Sequence, residues 1–72
     1  MRAMRENHIR EFLDLLRAGL PGLEANAWLI NGFEEVDFEI RSNGVVLCRH
    51  VMEARRLATH DFRMAMLRAI QS

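Results

Sequence analysis

The 72-residue sequence contains one cysteine, one proline, no lysine and no tyrosine. Because Cys48 is alone, no internal disulfide can form, whereas small secreted domains usually depend on such bridges. We therefore expect a reducing compartment and a cytoplasmic protein. The charged first residues lead into no long apolar segment, and no apolar run approaches the about 20 residues that cross a bilayer. Neither a signal peptide nor a membrane helix is predicted.

The absence of lysine makes all ten basic residues arginines, and the net charge is zero. Arginine forms forked contacts to carboxylate and phosphate groups, but a GC-rich gene of a bacterium or phage would produce the same bias. Half of the residues are apolar, so we expect one folded domain over residues 1–72. Domains of this size without disulfides are only marginally stable, and oligomerisation is one way to stabilise them.

The first predicted element is a helix from Asn7 to Ala18. Asn7 is a good N-cap residue, and apolar side chains recur on one side of the segment. Gly19 is expected to supply a left-handed cap, and Pro21 prevents the helix from continuing.

Two Asn-Gly pairs, at residues 31–32 and 43–44, are turn signals, and between them Val36, Phe38 and Ile40 alternate with charged residues. This alternation predicts a half-buried strand. A two-residue hairpin at Asn31-Gly32 would place three apolar pairs opposite one another: Leu23 with Ile40, Ala25 with Phe38, and Ala27 with Val36. The alternative is a short helix from Leu23 to Asn31 that ends at Gly32.

The segment from Val45 to Val51 is apolar on both faces in its first half, which indicates that something covers its second face. A last helix is predicted to start between Glu53 and Thr59 and to end near Ile70. The predicted fold class is α+β: a single antiparallel three-stranded sheet flanked by N- and C-terminal helices on one face, in the order α-β-β-β-α.

The last helix presents two apolar sides when residues are projected at about 100° each. One side is suited to packing on the sheet and contains Ala54, Ala58, Phe62, Ala65, Met66 and Ala69. The other has a heptad-like spacing and contains Leu57, His60, Met64 and Leu67. This second stripe is interpreted as a dimer or partner interface; the alternative is that the first helix covers it.

Acidic residues are concentrated in the middle of the chain. The formal charge is +1 over residues 1–20, −5 over residues 21–40 and +4 over residues 41–72. On the predicted strand, Glu35, Asp37 and Glu39 form an outward-facing ladder. It is either a solvated face that meets arginines of the next strand, such as Arg49 opposite Asp37, or an acidic surface that binds a basic partner.

No motif predicts catalysis, a cofactor, a small-molecule substrate or a metal. Cys48 and His50 are expected on the same face of a strand, without the orienting group and oxyanion hole that nucleophilic catalysis requires. The candidate metal ligands lack the paired spacings of zinc sites. They are Cys48, His50, His60, His8 and Asp61.

The leading functional hypothesis is a small non-enzymatic interaction protein. It is expected to be a homodimer that regulates or inhibits a macromolecular partner, in the manner of inhibitors carried by phages or mobile elements. The alternative is an RNA- or DNA-binding domain, because the predicted element order is shared with double-stranded-RNA-binding domains. Its phosphate ligands would be Arg55, Arg56 and Arg63, although binding through counterion release favours a net basic charge.

Overall fold

A computed structural model describes residues 2–72, with side chains from residue 5 onward. Met1, which belongs to the N-terminal segment considered for a signal peptide, lies outside the described residues. The elements are α1 (Arg2–Gly19), β1 (Glu24–Ile30), β2 (Glu35–Ser42), β3 (Val45–Glu53), a 3₁₀ helix (Ala54–Ala58) and α2 (His60–Gln71). The three strands form one antiparallel sheet in the order β1-β2-β3. This confirms the predicted α+β fold and the order α-β-β-β-α.

Helix α1 starts at Arg2, five residues before the predicted start at Asn7. The preceding segment contains alanine, methionine, arginine and glutamate, which all favour helix, so nothing there delays it. The helix ends at Gly19 as expected, but not through a left-handed cap, because the glycines with positive φ are Gly22, Gly32 and Gly44. A Cβ atom on Gly19 would lie 2.8 Å from the δ-methyl carbons of Leu67, so this glycine allows α2 to approach α1 closely.

Residues 24–30 form a strand, so the alternative of a helix is wrong, but the hairpin register also differs from the predicted one. Ala25 pairs with Ile40 and Ala27 with Phe38, a shift of two residues. The chain reverses through a four-residue loop, residues 31–34, in which Asn31, Gly32 and Phe33 have positive φ. Because the shift is even, every side chain keeps its predicted face.

Strand β3 pairs with β2 after a two-residue turn at Asn43-Gly44, where φ is 50° and 81°. The pairs Ile40 with Cys48 and Arg41 with Val46 leave Leu47 without an opposite residue, which defines a β-bulge. The sheet order makes β2 the central strand, with β1 and β3 at the two edges.

The core lies between α1 and the sheet face that α1 covers, here called the inner face. Phe12 of α1 meets Phe38 of β2 edge-on, with ring centroids 5.3 Å apart. The fully buried side chains are Phe12, Leu16, Val36, Phe38, Ile40 and Leu57. Helix α2 packs mainly against α1 and the 3₁₀ helix rather than on the sheet. The prediction that the last helix packs on the sheet is therefore wrong for α2. Within the predicted apolar side, Ala54 is buried, Phe62 and Met66 are half-buried against the core, and the exposed members are Ala58, Ala65 and Ala69.

Candidate functional site

The predicted interface stripe on the last helix lies largely in the core. Leu57 and Leu67 are 0% and 5% exposed and belong to the same apolar cluster as Leu16 of α1. Met64 is half-buried, and His60 is exposed. The first helix covers the two leucines, so the expectation that this stripe is free to bind a second molecule is wrong.

The opposite side of the sheet, here called the outer face, carries exposed apolar side chains. Strand alternation and the observed register place the same residues of all three strands on it. From β1 they are Glu24, Asn26, Trp28 and Ile30; from β2, Glu35, Asp37, Glu39 and Arg41; from β3, Val46, Leu47, Arg49, Val51 and Glu53. No helix among the described residues covers this face.

Asp37 and Arg49 form a two-pronged ion pair in the middle of the outer face. The Arg49 Nη2 and Nε atoms lie 2.6 and 3.1 Å from Oδ2 and Oδ1 of Asp37. The predicted contact exists, but it is diagonal, because the residue directly opposite Asp37 is Val51. The hydrogen bonds from Arg49, more than its charge, lower the pKa of Asp37 below its ordinary value, and partial desolvation opposes them. The carboxyl of Asp37 is therefore held in its ionised form, although the residue is only 7% exposed.

The other members of the acidic ladder are also engaged within the chain. Glu39 is 5% exposed, and its Oε1 accepts a hydrogen bond from Nε of Arg41 at 2.6 Å. Glu35 is half-buried and accepts a hydrogen bond from the side-chain amide of Asn31. The predicted arginine contact of Asp37 is confirmed, whereas the expected solvation of the ladder is wrong for Asp37 and Glu39, which are buried.

Apolar side chains surround these ion pairs. Trp28 is 49% exposed, Val46 44%, Leu47 58% and Val51 45%. Trp28 also borders a shallow depression of about 380 Å³, whose lining consists of Trp28, Ile30, Asp37, Glu39, Arg41 and Arg49. The sequence predicts a cover over the second face of β3, and the described residues provide none. Trp28 was missed as a site residue, although the predicted inward positions of Ala25 and Ala27 already place it on the outer face.

The predicted phosphate ligands do not converge. Arg63 is buried, donates from Nη1 to the carbonyl oxygen of Leu57 at 2.5 Å and pairs through Nη2 with Glu11 at 3.1 Å. This arginine therefore stabilises the packing of α2, and its assignment to a nucleic-acid site is wrong. Arg55 and Arg56 are exposed, but Arg55 pairs with Glu53 at 3.0 Å. The guanidinium carbon of Arg56 lies 4.9 Å from the ring centroid of Phe62.

Cys48 and His50 share the inner face near its β3 edge, as predicted. Cys48 is half-buried opposite Ile40, and the His50 ring meets the Phe38 ring at a centroid distance of 5.9 Å. Among residues 2–72, no group of three or more His, Cys, Asp or Glu residues is placed to hold a metal ion.

None of the helices in the described part of the chain combines the length and the apolarity that crossing a lipid bilayer requires. Comparisons with protein families, with curated proteins and with solved structures give no significant match for this chain.

Proposed function

We propose that this protein is a non-enzymatic interaction protein that binds a partner protein through the outer face of its sheet. The observation that carries the proposal is the exposure of Trp28, Leu47 and Val51 on a face that no described element covers. Large apolar side chains that stay exposed on one face, together with charged groups, mark a candidate interaction site. Binding there would regulate or inhibit the partner, and the lone Cys48 is consistent with action in the cytoplasm.

The charges of the outer face indicate the chemistry of the partner. Five carboxylates and two arginines point to this side from the strands, an excess of three negative charges. A complementary partner surface therefore carries apolar and basic side chains. Because Asp37 and Glu39 already have arginine partners, a binding protein can cover them without leaving a buried charge unpaired.

Trp28 is the expected anchor of the interaction. It is the only tryptophan in the sequence, and half of it remains exposed at the edge of the depression. Tryptophan is enriched among the residues that dominate binding energy, and their truncation costs about 2 kcal/mol or more. We therefore expect Trp28→Ser to weaken partner binding by roughly 30-fold.

The test is retention of a partner from a lysate of the source organism on three immobilised proteins. The wild type and Arg68→Ser, a control on the exposed side of α2, are expected to retain the same protein, and Trp28→Ser is expected to lose it. Equal retention on all three proteins, or retention on none, would contradict the proposal.

Nucleic-acid binding is the second candidate, because Arg55 and Arg56 are exposed next to α2. It has less support than the outer face, since both side chains have partners within the chain and Arg63 is buried. We expect no retardation of duplex RNA in a mobility-shift assay at low salt. A shift that fades steeply as salt rises would favour this candidate instead.

A further inference from the structure

The two edges of the sheet differ in how they are protected. At the β1 edge, Nη2 of Arg17 donates to the carbonyl oxygen of Ala25 at 3.0 Å, and α1 packs beside the strand. Among the described residues, nothing comparable reaches the β3 edge. The bulge at Leu47 and the charged side chains of Arg49 and Glu53 are features that discourage edge pairing, but residues 49–53 follow the bulge as a regular strand without lysine, proline or a covering element. The β3 edge is therefore open to another strand.

The hydrogen-bonding pattern shows which residues of β3 face this open edge. The amide of Ala54 donates to the carbonyl oxygen of Glu34 at 2.9 Å, so the neighbouring pair, Glu35 and Glu53, is a non-hydrogen-bonded pair. Backbone groups of successive strand residues point to alternate sides. The N–H and C=O groups of Arg49, Val51 and Glu53 therefore point away from β2.

We propose that β3 pairs antiparallel with β3 of a second copy of this chain, about a two-fold axis at Val51. The inference rests on the proposed interaction function, which it extends from a partner protein to a second copy. Val51 would lie opposite Val51 of the second copy, and Arg49 would lie opposite Glu53 in both directions. Three facing pairs result, and each hydrogen-bonded pair exchanges two backbone hydrogen bonds.

Charge complementarity selects this register over its neighbours. An axis at Arg49 would set two arginines opposite each other, and an axis at Glu53 would set two carboxylates opposite each other, and both arrangements are unfavourable. An axis at His50 would place each Arg49 opposite a valine. Only the axis at Val51 pairs valine with valine and arginine with carboxylate, while Arg49 keeps its contact with Asp37.

Edge pairing also agrees with the charge of the outer face. Two outer faces stacked on each other would bring together two surfaces that each carry excess negative charge. Pairing along β3 instead places them side by side in a six-stranded sheet. The surface available to a basic, apolar partner then extends across both copies.

Val51→Pro tests the edge directly. Proline removes the N–H that faces the open edge and leaves the bonds between β2 and β3 intact, so an edge strand tolerates it. The control is Val51→Thr, which keeps the N–H and the β-branched shape. The measurement is the molar mass from analytical ultracentrifugation at micromolar concentration. We expect the wild type and Val51→Thr to have twice the chain mass of 8.4 kDa, and folded Val51→Pro to have the mass of one chain.

Glu53→Arg provides a second variant if Val51→Pro does not fold. This substitution places an arginine opposite Arg49 of the second copy. Within the chain it removes only the exposed ion pair between Glu53 and Arg55. We expect at least a 10-fold weaker dimer. A monomeric wild type overturns the inference, as does a folded Val51→Pro or Glu53→Arg that dimerises like the wild type. None of these results affects the retention of a partner through Trp28, so the two proposals fail separately.

A disulfide checks the register. In a Cys48→Ser background, Val51→Cys would bring two sulfurs together across the axis, because Cα atoms of such a pair lie about 5.5 Å apart. We expect rapid oxidation to a linked dimer. Leu47→Cys in the same background is expected to stay unlinked, since its counterpart lies several residues away along the strand. Linkage at residue 47 rather than at residue 51 overturns the register.

Discussion

On the inner face of the sheet, Val36, Phe38 and Ile40 are buried beneath α1, whereas on the outer face Asp37 and Glu39 are buried by arginines of the sheet itself. Both sides of β2 are thus shielded from water, one by a helix and the other by ion pairs. The comparison separates two roles. The inner face supplies the core that stabilises the fold. The exposed apolar side chains around the outer ion pairs are not needed for that core.

Truncating one aromatic residue on each face gives the largest expected contrast. Phe38→Ala removes a fully buried ring from the core and should lower the free energy of unfolding by about 3–5 kcal/mol. Trp28→Ser removes a half-exposed ring and should cost less than about 1 kcal/mol. Urea unfolding of the two variants measures both. A cost for Trp28→Ser as large as that for Phe38→Ala would mean that the outer face belongs to the core.

The next largest effect concerns the helix stripe that the sequence assigns to an interface. Leu67→Ala should lower the free energy of unfolding by about 2–4 kcal/mol, because Leu67 is buried against α1. Ala65→Ser, at an exposed position of the same helix, should change it by less than about 0.5 kcal/mol. Thermal unfolding followed by circular dichroism compares them. An unchanged stability in Leu67→Ala, with loss of self-association, would restore the interface assignment.

The smallest expected effect is the pH-dependent contribution of Asp37. Arg49 lowers the pKa of this carboxyl from its ordinary value of 3.8, so the stabilisation is complete above that pH and is lost as the pH falls through the folded-state pKa. Asp37→Asn should therefore be less stable than the wild type at neutral pH, and the difference should shrink below pH 3.8.

Urea midpoints measured from neutral pH down to pH 3 test this prediction. Glu24→Gln, at an exposed position of the same face, controls for the loss of one negative charge. A stability difference between the wild type and Asp37→Asn that persists unchanged in acid would show that the ion pair is not its cause.

The element order was predictable because the signals that set it are local. The alternation of Val36, Phe38 and Ile40 and the two Asn-Gly turns each act within a few residues. The hairpin register was not, since the longer loop depends on three consecutive residues with positive φ. The inner face was still assigned correctly because the register error is an even number of residues.

The prediction of how the last helix packs was wrong for a different reason. The projection treated residues 54–69 as one continuous α-helix, whereas the chain is 3₁₀ over Ala54–Ala58 and extended at Thr59, which caps α2. A 3₁₀ helix has 3.0 residues per turn instead of 3.6. The angular positions of the residues before Thr59 therefore cannot be projected onto α2. Which side of α2 is buried also depends on the close approach at Gly19, a contact between opposite ends of the chain.

The candidate site was predictable only in part. The pairing of Asp37 with Arg49 follows from the opposite charges on neighbouring strands, and it was predicted. The exposure of Trp28 depends on which face of the sheet the helices cover. The apolar alternation of β2 predicts that face, but whether another element covers the outer face is decided by tertiary packing, for which the residues around Trp28 carry no local signal.

Acrylamide quenching of Trp28 fluorescence tests most directly whether the outer face is a binding surface. In the free protein the signal comes from this face alone, because the chain has one tryptophan. We expect acrylamide to quench Trp28 strongly in the free protein and clearly less when the retained partner is bound. As a control, a protein that the wild type and Trp28→Ser retain equally well should not protect Trp28 from quenching. Quenching that stays the same with and without bound partner would contradict the account.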